Sequence, residues 1–242
     1  MPDSARLHGV GPGGLADQDL SMANLAQILT QYQTLLVLDA ASQVVQVGWL
    51  ARDAAPRWVA VEEEAGSGLF RALDQLGVQP GEAGAFGFCE GPGSILGIRT
   101  AAVALATWNA LRERPLFAYR SLELLAATVA PRPSTVIADA RRQTWHALAI
   151  DDEGQTGEIE RRPTEALPSN LAMPEKFRAW TPLPTTPITM LTYDLTVLWA
   201  HPAALTAELW RATAEPEAFH HEAAAYVQWT PGIHRAPTPS AP

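Results

Sequence analysis

Phe88-Cys89-Glu90-Gly91-Pro92-Gly93-Ser94-Ile95-Leu96-Gly97-Ile98-Arg99 joins an apolar, strand-like run beginning at Gly84 to a long alanine-rich run ending at Leu111. A Gly-Pro-Gly turn closed by a serine is a strand-to-helix junction with a physical cause. Gly91 and Gly93 accept backbone angles that side chains forbid, Pro92 sets one turn dihedral, and Ser94 is placed to cap the helix. Such a junction presents free N–H groups and the positive end of a helix dipole, which suits an anion. A tight, well-capped turn accounts for the same residues without any ligand.

The wider pattern favours a more specific reading. Gly-Pro-Gly-Ser, two residues, a glycine, one residue and Arg99 at the head of a helix resemble the GPGSFTGxR signature of the TsaB (YeaZ-type) family. Members of that family are accessory subunits in bacterial threonylcarbamoyl-adenosine modification of tRNA. Leu35-Leu36-Val37-Leu38-Asp39-Ala40-Ala41-Ser42 resembles the family's opening strand, and Val136-Ile137-Ala138-Asp139-Ala140-Arg141 resembles the strand that opens its second half. Ala225-Tyr226-Val227 is loosely similar to its closing strand. The likeness is good over residues 35–150 and poor beyond. Ile95, Leu96 and Thr100 depart from the family's usual residues, and eight tryptophans add to the divergence.

Composition sets outer limits. A chain of 242 residues with 47% hydrophobic and 18% charged residues suits a folded globular protein with a substantial core. A net charge of −9 argues against this chain alone gripping a phosphate backbone, because nucleic-acid binders show a basic footprint. Arg141-Arg142 and Arg161-Arg162 are pairs only, and tRNA is expected as an indirect partner. The lone cysteine, Cys89, excludes an internal disulfide and reads as a small buried hydrophobe. No apolar run approaches the roughly 20 residues of a membrane span, and the start lacks the pattern of a secretory signal. The expected compartment is the cytoplasm.

The element order is mixed. Strands are expected at Leu35–Asp39, Val44–Leu50 and Arg57–Val61, then a helix over Ser67–Leu76 ended by Gly77. The strand 84–89, the helix 94–111 and a strand at 116–119 follow. Ser121 is expected to cap a helix over 122–129, and strands are expected at 135–139 and 144–150, followed by a hairpin turn at Asp151-Asp152-Glu153-Gly154. Residues 161–187 are punctuated by proline and hard to place. Residues 195–213 have helical composition interrupted by Pro202. Three strands, helix, strand, helix, strand is the order of an RNase H-like lobe. The expected fold is therefore α/β, actin-like (ASKHA) and two-lobed, with lobes at 34–119 and 120–229. An extension at 1–33 contains a glycine-rich stretch (9–14) without phosphate-loop context and a helical face at 20–33. Flexible tails are expected at 1–19 and 230–242.

Each candidate residue has a plain structural alternative. Asp39 ends the first strand, where actin-like ATPases keep an acidic residue for a metal–nucleotide complex, yet a strand-end carboxylate also serves simply to accept backbone hydrogen bonds; Asp139 ends a later strand, with a structural ion pair to Arg141 or a neighbouring lobe as its plain alternative. With Arg141 and the loop Gly91, Pro92, Gly93 and Ser94, they form the candidate nucleotide-contact set. Ser94 reads as a cap rather than a nucleophile, since no Gly-x-Ser-x-Gly elbow surrounds it. Arg99 is either solvated or an anchor for a partner's carboxylate. His8, His146, His201, His220, His221 and His234 include no pair spaced four apart, whereas the TsaD-type relative carries a His-x-x-x-His metal pair. Ser94 and Arg99 thus favour the accessory subunit over the catalytic one.

The resemblance implies that helices 67–76 and 94–111 pack against the matching pair of a TsaD-type carbamoyltransferase. On that reading Leu69, Phe70, Leu73, Ile98, Arg99, Val103, Trp108 and Leu111 are interface candidates, with membership of the chain's own core as the alternative for each. The implied role is non-catalytic and the isolated chain is expected to carry no cofactor. The metal belongs to the TsaD-type partner, and ATP enters through a TsaE-type ATPase. Alone, the apolar face should drive homodimerisation. The rival reading is a stand-alone ASKHA-type ATPase or small-molecule kinase using Asp39 and the glycine loop.

Overall fold

Strand β2 (Thr34–Asp39) shows how the first lobe is built. Its side chains alternate across the sheet, Leu35 and Val37 entering one core and Leu36 and Leu38 the other. Burial on both faces explains why the strand is apolar without interruption. The computed structural model describes residues 22–129 and 134–219. The expected tails, the glycine-rich stretch 9–14, the closing strand 225–227 and His8, His220, His221 and His234 lie outside those residues.

The short strand β1 (Met22–Ala23) and helix α1 (Leu25–Tyr32) precede β2. Strands β3 (Val45–Ala51) and β4 (Ala54–Val61) complete an antiparallel meander, and helix α2 (Ala65–Leu76) crosses to β5 (Ala85–Gly91). Helix α3 (Ile95–Leu111) leads to β6 (Leu116–Arg120), with β2, β5 and β6 parallel. Helix α4 (Ser121–Ala126) passes the chain to the second sheet, formed by β7 (Ser134–Asp139), β8 (Thr144–Ile150), β9 (Glu160–Pro163), β10 (Leu171–Pro174) and β11 (Ile188–Leu191). Helices α5 (Leu195–Leu198) and α6 (Pro202–Thr206) and strand β12 (Trp210–Thr213) follow.

The two sheets share one plan. The first contains the run β4-β3-β2-β5-β6, the second the run β9-β8-β7-β10-β11, and each pairs an antiparallel meander with two parallel strands. In the first lobe α3 carries the crossover between the last two parallel strands. In the second, the corresponding link is the irregular segment 175–187. Three prolines (Pro182, Pro184, Pro187) in that segment remove backbone donors and account for the missing helix.

Several expectations need correction. Ser121 does not cap a helix; it begins α4, and its hydroxyl donates to the Pro92 carbonyl at 2.6 Å. Pro202 separates two short helices, and 210–213 is a strand, not a helical continuation. The expected lobe boundary is crossed at both ends. β12 returns from beyond the second sheet to pair with β6, and β1 pairs with β12, so the first sheet draws on residues expected in the extension and in the second lobe. Trp210 on β12 drives that return, stacking on Trp199 (centroids 4.8 Å) and meeting Tyr119 edge-on.

Candidate functional site

The carboxyl ends of β5 and β7 meet at a cleft of about 500 Å³ between the lobes. Its first-lobe wall is the glycine loop and the first turn of α3 (Pro92, Gly93, Ser94, Ile95, Leu96, Ile98), with Glu90 behind. The second-lobe wall brings Asp139, Ala140, Arg141 and His146, joined by Arg178 and Trp180 from the segment 175–187 and by Phe219. The structure thus brings together Pro92, Gly93, Ser94, Asp139 and Arg141, which lie far apart in sequence.

The glycine loop is held by backbone contacts. Gly91 has φ 116°, a conformation side chains resist, and its bond to Pro92 is cis. The Ser94 amide donates to the Ala41 carbonyl at 2.7 Å, and its hydroxyl accepts from the Gly97 amide at 3.4 Å, capping α3 as expected. A Cβ on Gly93 would lie 2.5 Å from the Ala41 carbonyl oxygen, so the head of α3 is pressed onto the turn after β2.

Asp39 does not reach the cleft. It is fully buried beneath that turn, accepting from the Ala41 amide (2.9 Å), the Tyr119 hydroxyl (2.5 Å) and the Tyr193 hydroxyl (2.7 Å). Burial raises its carboxyl above the ordinary range, and these hydrogen bonds offset part of the rise. The metal–nucleotide contact considered for Asp39 is therefore not available in this arrangement, because the side chain is wholly buried and does not line the cleft. Burial, with the Asp39 charge second, likewise pushes the Cys89 thiol well above its usual range, in keeping with a buried small hydrophobe.

Asp139 is better exposed but is also engaged. Its two oxygens accept from the amides of Arg141 (2.9 Å) and Trp180 (2.7 Å). Burial acts to raise its carboxyl, but hydrogen bonds led by Thr181 and the Trp180 amide bring it below the ordinary value. Glu90 pairs with Arg120 (2.8 Å) and lies 3.5 Å from Arg211, and Glu123 completes the cluster. Arg120 in turn lies 4.3 Å from the Phe219 ring centroid. Sequence reasoning missed Arg178, Trp180 and Phe219, because they fall in stretches without periodicity. Among the described residues no group of three His, Cys, Asp or Glu side chains is placed to hold a metal ion.

The interface candidates divide by face. Leu69 and Leu73 on α2 pack against the first sheet, and Ile98 on α3 enters the other core, so these three are turned inward rather than toward a partner. Phe70, Arg99, Val103 and Leu111 are exposed, and Trp108 is half-buried with Phe70 edge-on to it at 6.5 Å. Helix α3 is apolar on two faces. Ile98, Ala101, Ala102 and Leu105 are buried, while Leu96, Val103 and Ala110 recur every seventh residue on the solvent side with Arg99 and Ala106 between them. Leu96 is 75% exposed and Val103 65%.

Two sheets of one plan, joined through α4 and enclosing a cleft at their strand ends, define an actin-like, ASKHA-type α/β fold. No protein-family model and no curated protein matches the sequence. Among solved structures the chain is similar to YeaZ from Pseudomonas aeruginosa, with 19% identity and a TM-score of 0.51 over 72% of this chain and 88% of that one. It is similar also to a protein described as uncharacterised, with similarity to peptidase YeaZ from Pseudomonas aeruginosa, with 18% identity and a TM-score of 0.51 over 69% of this chain and 89% of that one. At such identity the likeness shows the fold alone, and that fold is YeaZ-like. Among the described residues no helix is long and apolar enough to cross a membrane.

Proposed function

We propose that this chain is a non-catalytic accessory subunit that docks a TsaD-type carbamoyltransferase and supports threonylcarbamoyl-adenosine modification at position 37 of tRNA. The observation that carries this reading is the second apolar face of α3. A helix whose inner face already fills a core has no intramolecular reason to present Val103 and Ala110 to water in register with Leu96, which also borders the cleft. Seven-residue spacing is the seam of a helix that packs against another helix at a shallow angle. Phe70 on α2 extends the patch, and Arg99 supplies a charged anchor within it. The YeaZ-like fold supports the choice of partner. A TsaE-type ATPase joins the pair in this scheme, and the partner supplies the metal and the transfer chemistry. Without the partner, the same face pairs two copies of this chain.

Size-exclusion chromatography with light scattering, on this chain mixed with the TsaD-type protein of its own genome, tests the proposal. A 1:1 complex weakened at least tenfold by Val103→Asp is expected. Separate elution of two folded proteins would end it.

A further inference from the structure

We propose that Asp39, Tyr119, Tyr193 and Cys89 form a buried, proton-operated latch that ties the second lobe to the head of α3. All four side chains are buried beneath the turn after β2, and none of them lines the cleft. One carboxylate holds both ends. Its Oδ2 accepts from the Tyr119 hydroxyl on β6 and from the Tyr193 hydroxyl on the link between β11 and α5. Its Oδ1 accepts from the Ala41 amide, and the Ala41 carbonyl in turn accepts from the Ser94 amide at the N-cap of α3. A continuous chain of hydrogen bonds therefore runs from Tyr193 through Asp39 to the seat of α3.

The node has two complete proton arrangements. With Asp39 ionised, both hydroxyls donate to it. With Asp39 neutral, the carboxyl has a proton of its own to donate, taken up from solvent. Tyr193 is the hydroxyl that can receive it, because its oxygen also lies 3.8 Å from Cys89 Sγ, an acceptor for the hydroxyl hydrogen so displaced. Tyr119 keeps its bond to Asp39 in both. Burial holds the thiol and both phenols protonated well above their usual ranges, so Asp39 is the member that titrates. Gln46, opposite Asp39 on β3, is neutral, and Gly93, Ser94 and Gly97 at the head of α3 bring no charge. Among the described residues no lysine, arginine or histidine hydrogen-bonds to Asp39. The cluster of Glu90, Arg120, Glu123 and Arg211 is paired within itself, and of its members Arg211 on β12 acts electrostatically on Cys89. With no cation to offset burial, the closed node holds its proton more tightly than a hydrated carboxyl does. Opening at Tyr193 would hydrate Asp39, so by linkage protonation favours closure and ionisation favours opening. Tyr193 is the side that yields. Tyr119 sits within a sheet strand, edge-on to the stacked Trp199 and Trp210, whereas Tyr193 lies on an irregular link. The latch does not rest on the docking reading, and its failure would leave that reading standing.

The test is amide hydrogen exchange of the full chain from about pH 4 to pH 8, corrected for intrinsic rates, in water and in about 1 M urea. Residues 193–195 and 94–98 should exchange faster as pH rises through the Asp39 transition, by roughly tenfold for each unit by which closure raises that carboxyl. Their rates should hardly respond to urea, unlike those of the core strands β2 and β5, which exchange by global unfolding. The same transition should move the infrared S–H band of Cys89, the sole cysteine of the chain. Asp39→Asn should abolish both steps. Tyr193→Phe, which keeps the carboxyl and its Tyr119 partner, should abolish the S–H step and leave 193–195 fast at every pH. Exchange at 193–195 that follows urea as steeply as β2 and β5, or that has no pH step, overturns the latch. An S–H band that stays fixed while exchange steps overturns the role given to Cys89.

Discussion

At the scale of single residues, Asp39 shows how an acidic side chain is absorbed by a fold. Its three donors come from Ala41, Tyr119 and Tyr193, so removing the carboxylate orphans two buried hydroxyls and an amide. Asp39→Ala should cost about 3 kcal/mol, a typical penalty for unsatisfied buried donors, read from urea unfolding. The sign of the pH effect is also set. Because burial raises the folded carboxyl above its ordinary value of 3.8, the folded state holds this proton more tightly than the unfolded chain. The group's stabilising contribution is complete below 3.8 and is lost as pH climbs through the raised folded value. Asp39→Asn removes that dependence. The stability of the wild type relative to Asp39→Asn should therefore fall as pH rises from the carboxylate range to neutrality; a constant difference would contradict the assignment.

At the scale of elements, α3 makes two opposite predictions from one helix. Leu105 is wholly buried against the first sheet, and Leu105→Ala should cost about 3 kcal/mol through lost transfer energy and a residual cavity. Val103 lies two residues away on the solvent face, and Val103→Asp should change stability by no more than about 0.5 kcal/mol while abolishing self-association. Sedimentation velocity across a concentration series checks the second outcome, and a concentration-independent monomer in the wild type would refute it. The head of the helix is constrained differently. A Cβ on Gly97 would run into the Ala40 carbonyl, so Gly97→Ala should push the first turn off β2 and destabilise by about 2 kcal/mol, visible as a lower melting temperature.

At the scale of the whole molecule, the lobes are pinned at several points. Gln46 on β3 donates to the Tyr193 carbonyl at 3.1 Å and accepts from the Leu195 amide at 2.9 Å. Asp39 holds the Tyr193 hydroxyl, Gln43 holds the Lys176 carbonyl, and Lys176 pairs with Glu62 across the lobes. The Lys176 pair is exposed and adds little, whereas the buried amide of Gln46 has no water to replace its partners. Gln46→Ala should raise hydrogen exchange at 193–195 and cost about 2 kcal/mol, with the first-sheet core unaffected. Uniform exchange across both lobes would show that other contacts carry the junction. Pinned lobes keep the cleft formed before any ligand arrives, which lowers the ordering cost of binding.

Legibility followed the range of the interactions. The strands and helices from Thr34 to Arg120 and the pair β7–β8 were readable because alternation, helical periodicity, the Ser94 cap and the Gly77 stop act over a few residues. The glycine loop and the strand-end acids were readable for the same reason. What local pattern could not express was which face each residue would take and which distant segment would complete the site. Leu69, Leu73 and Ile98 carry the same apolar chemistry as Phe70 and Val103, and only packing against the sheets separates buried from exposed. β12 is a four-residue strand fixed by Trp210 against Tyr119 and Trp199, and Lys176 and Trp180 in the segment 175–187 are held by hydrogen bonds to Gln43 and Asp139, far away in sequence. By itself the sequence determined the strand-and-helix order of the first lobe and the strand pair that opens the second, since hydrophobic alternation is a local property. Tertiary structure alone decided that Asp39 is sealed, that Arg178 and Trp180 line the cleft and that α3 keeps an apolar face in water, because burial is a property of the assembled chain.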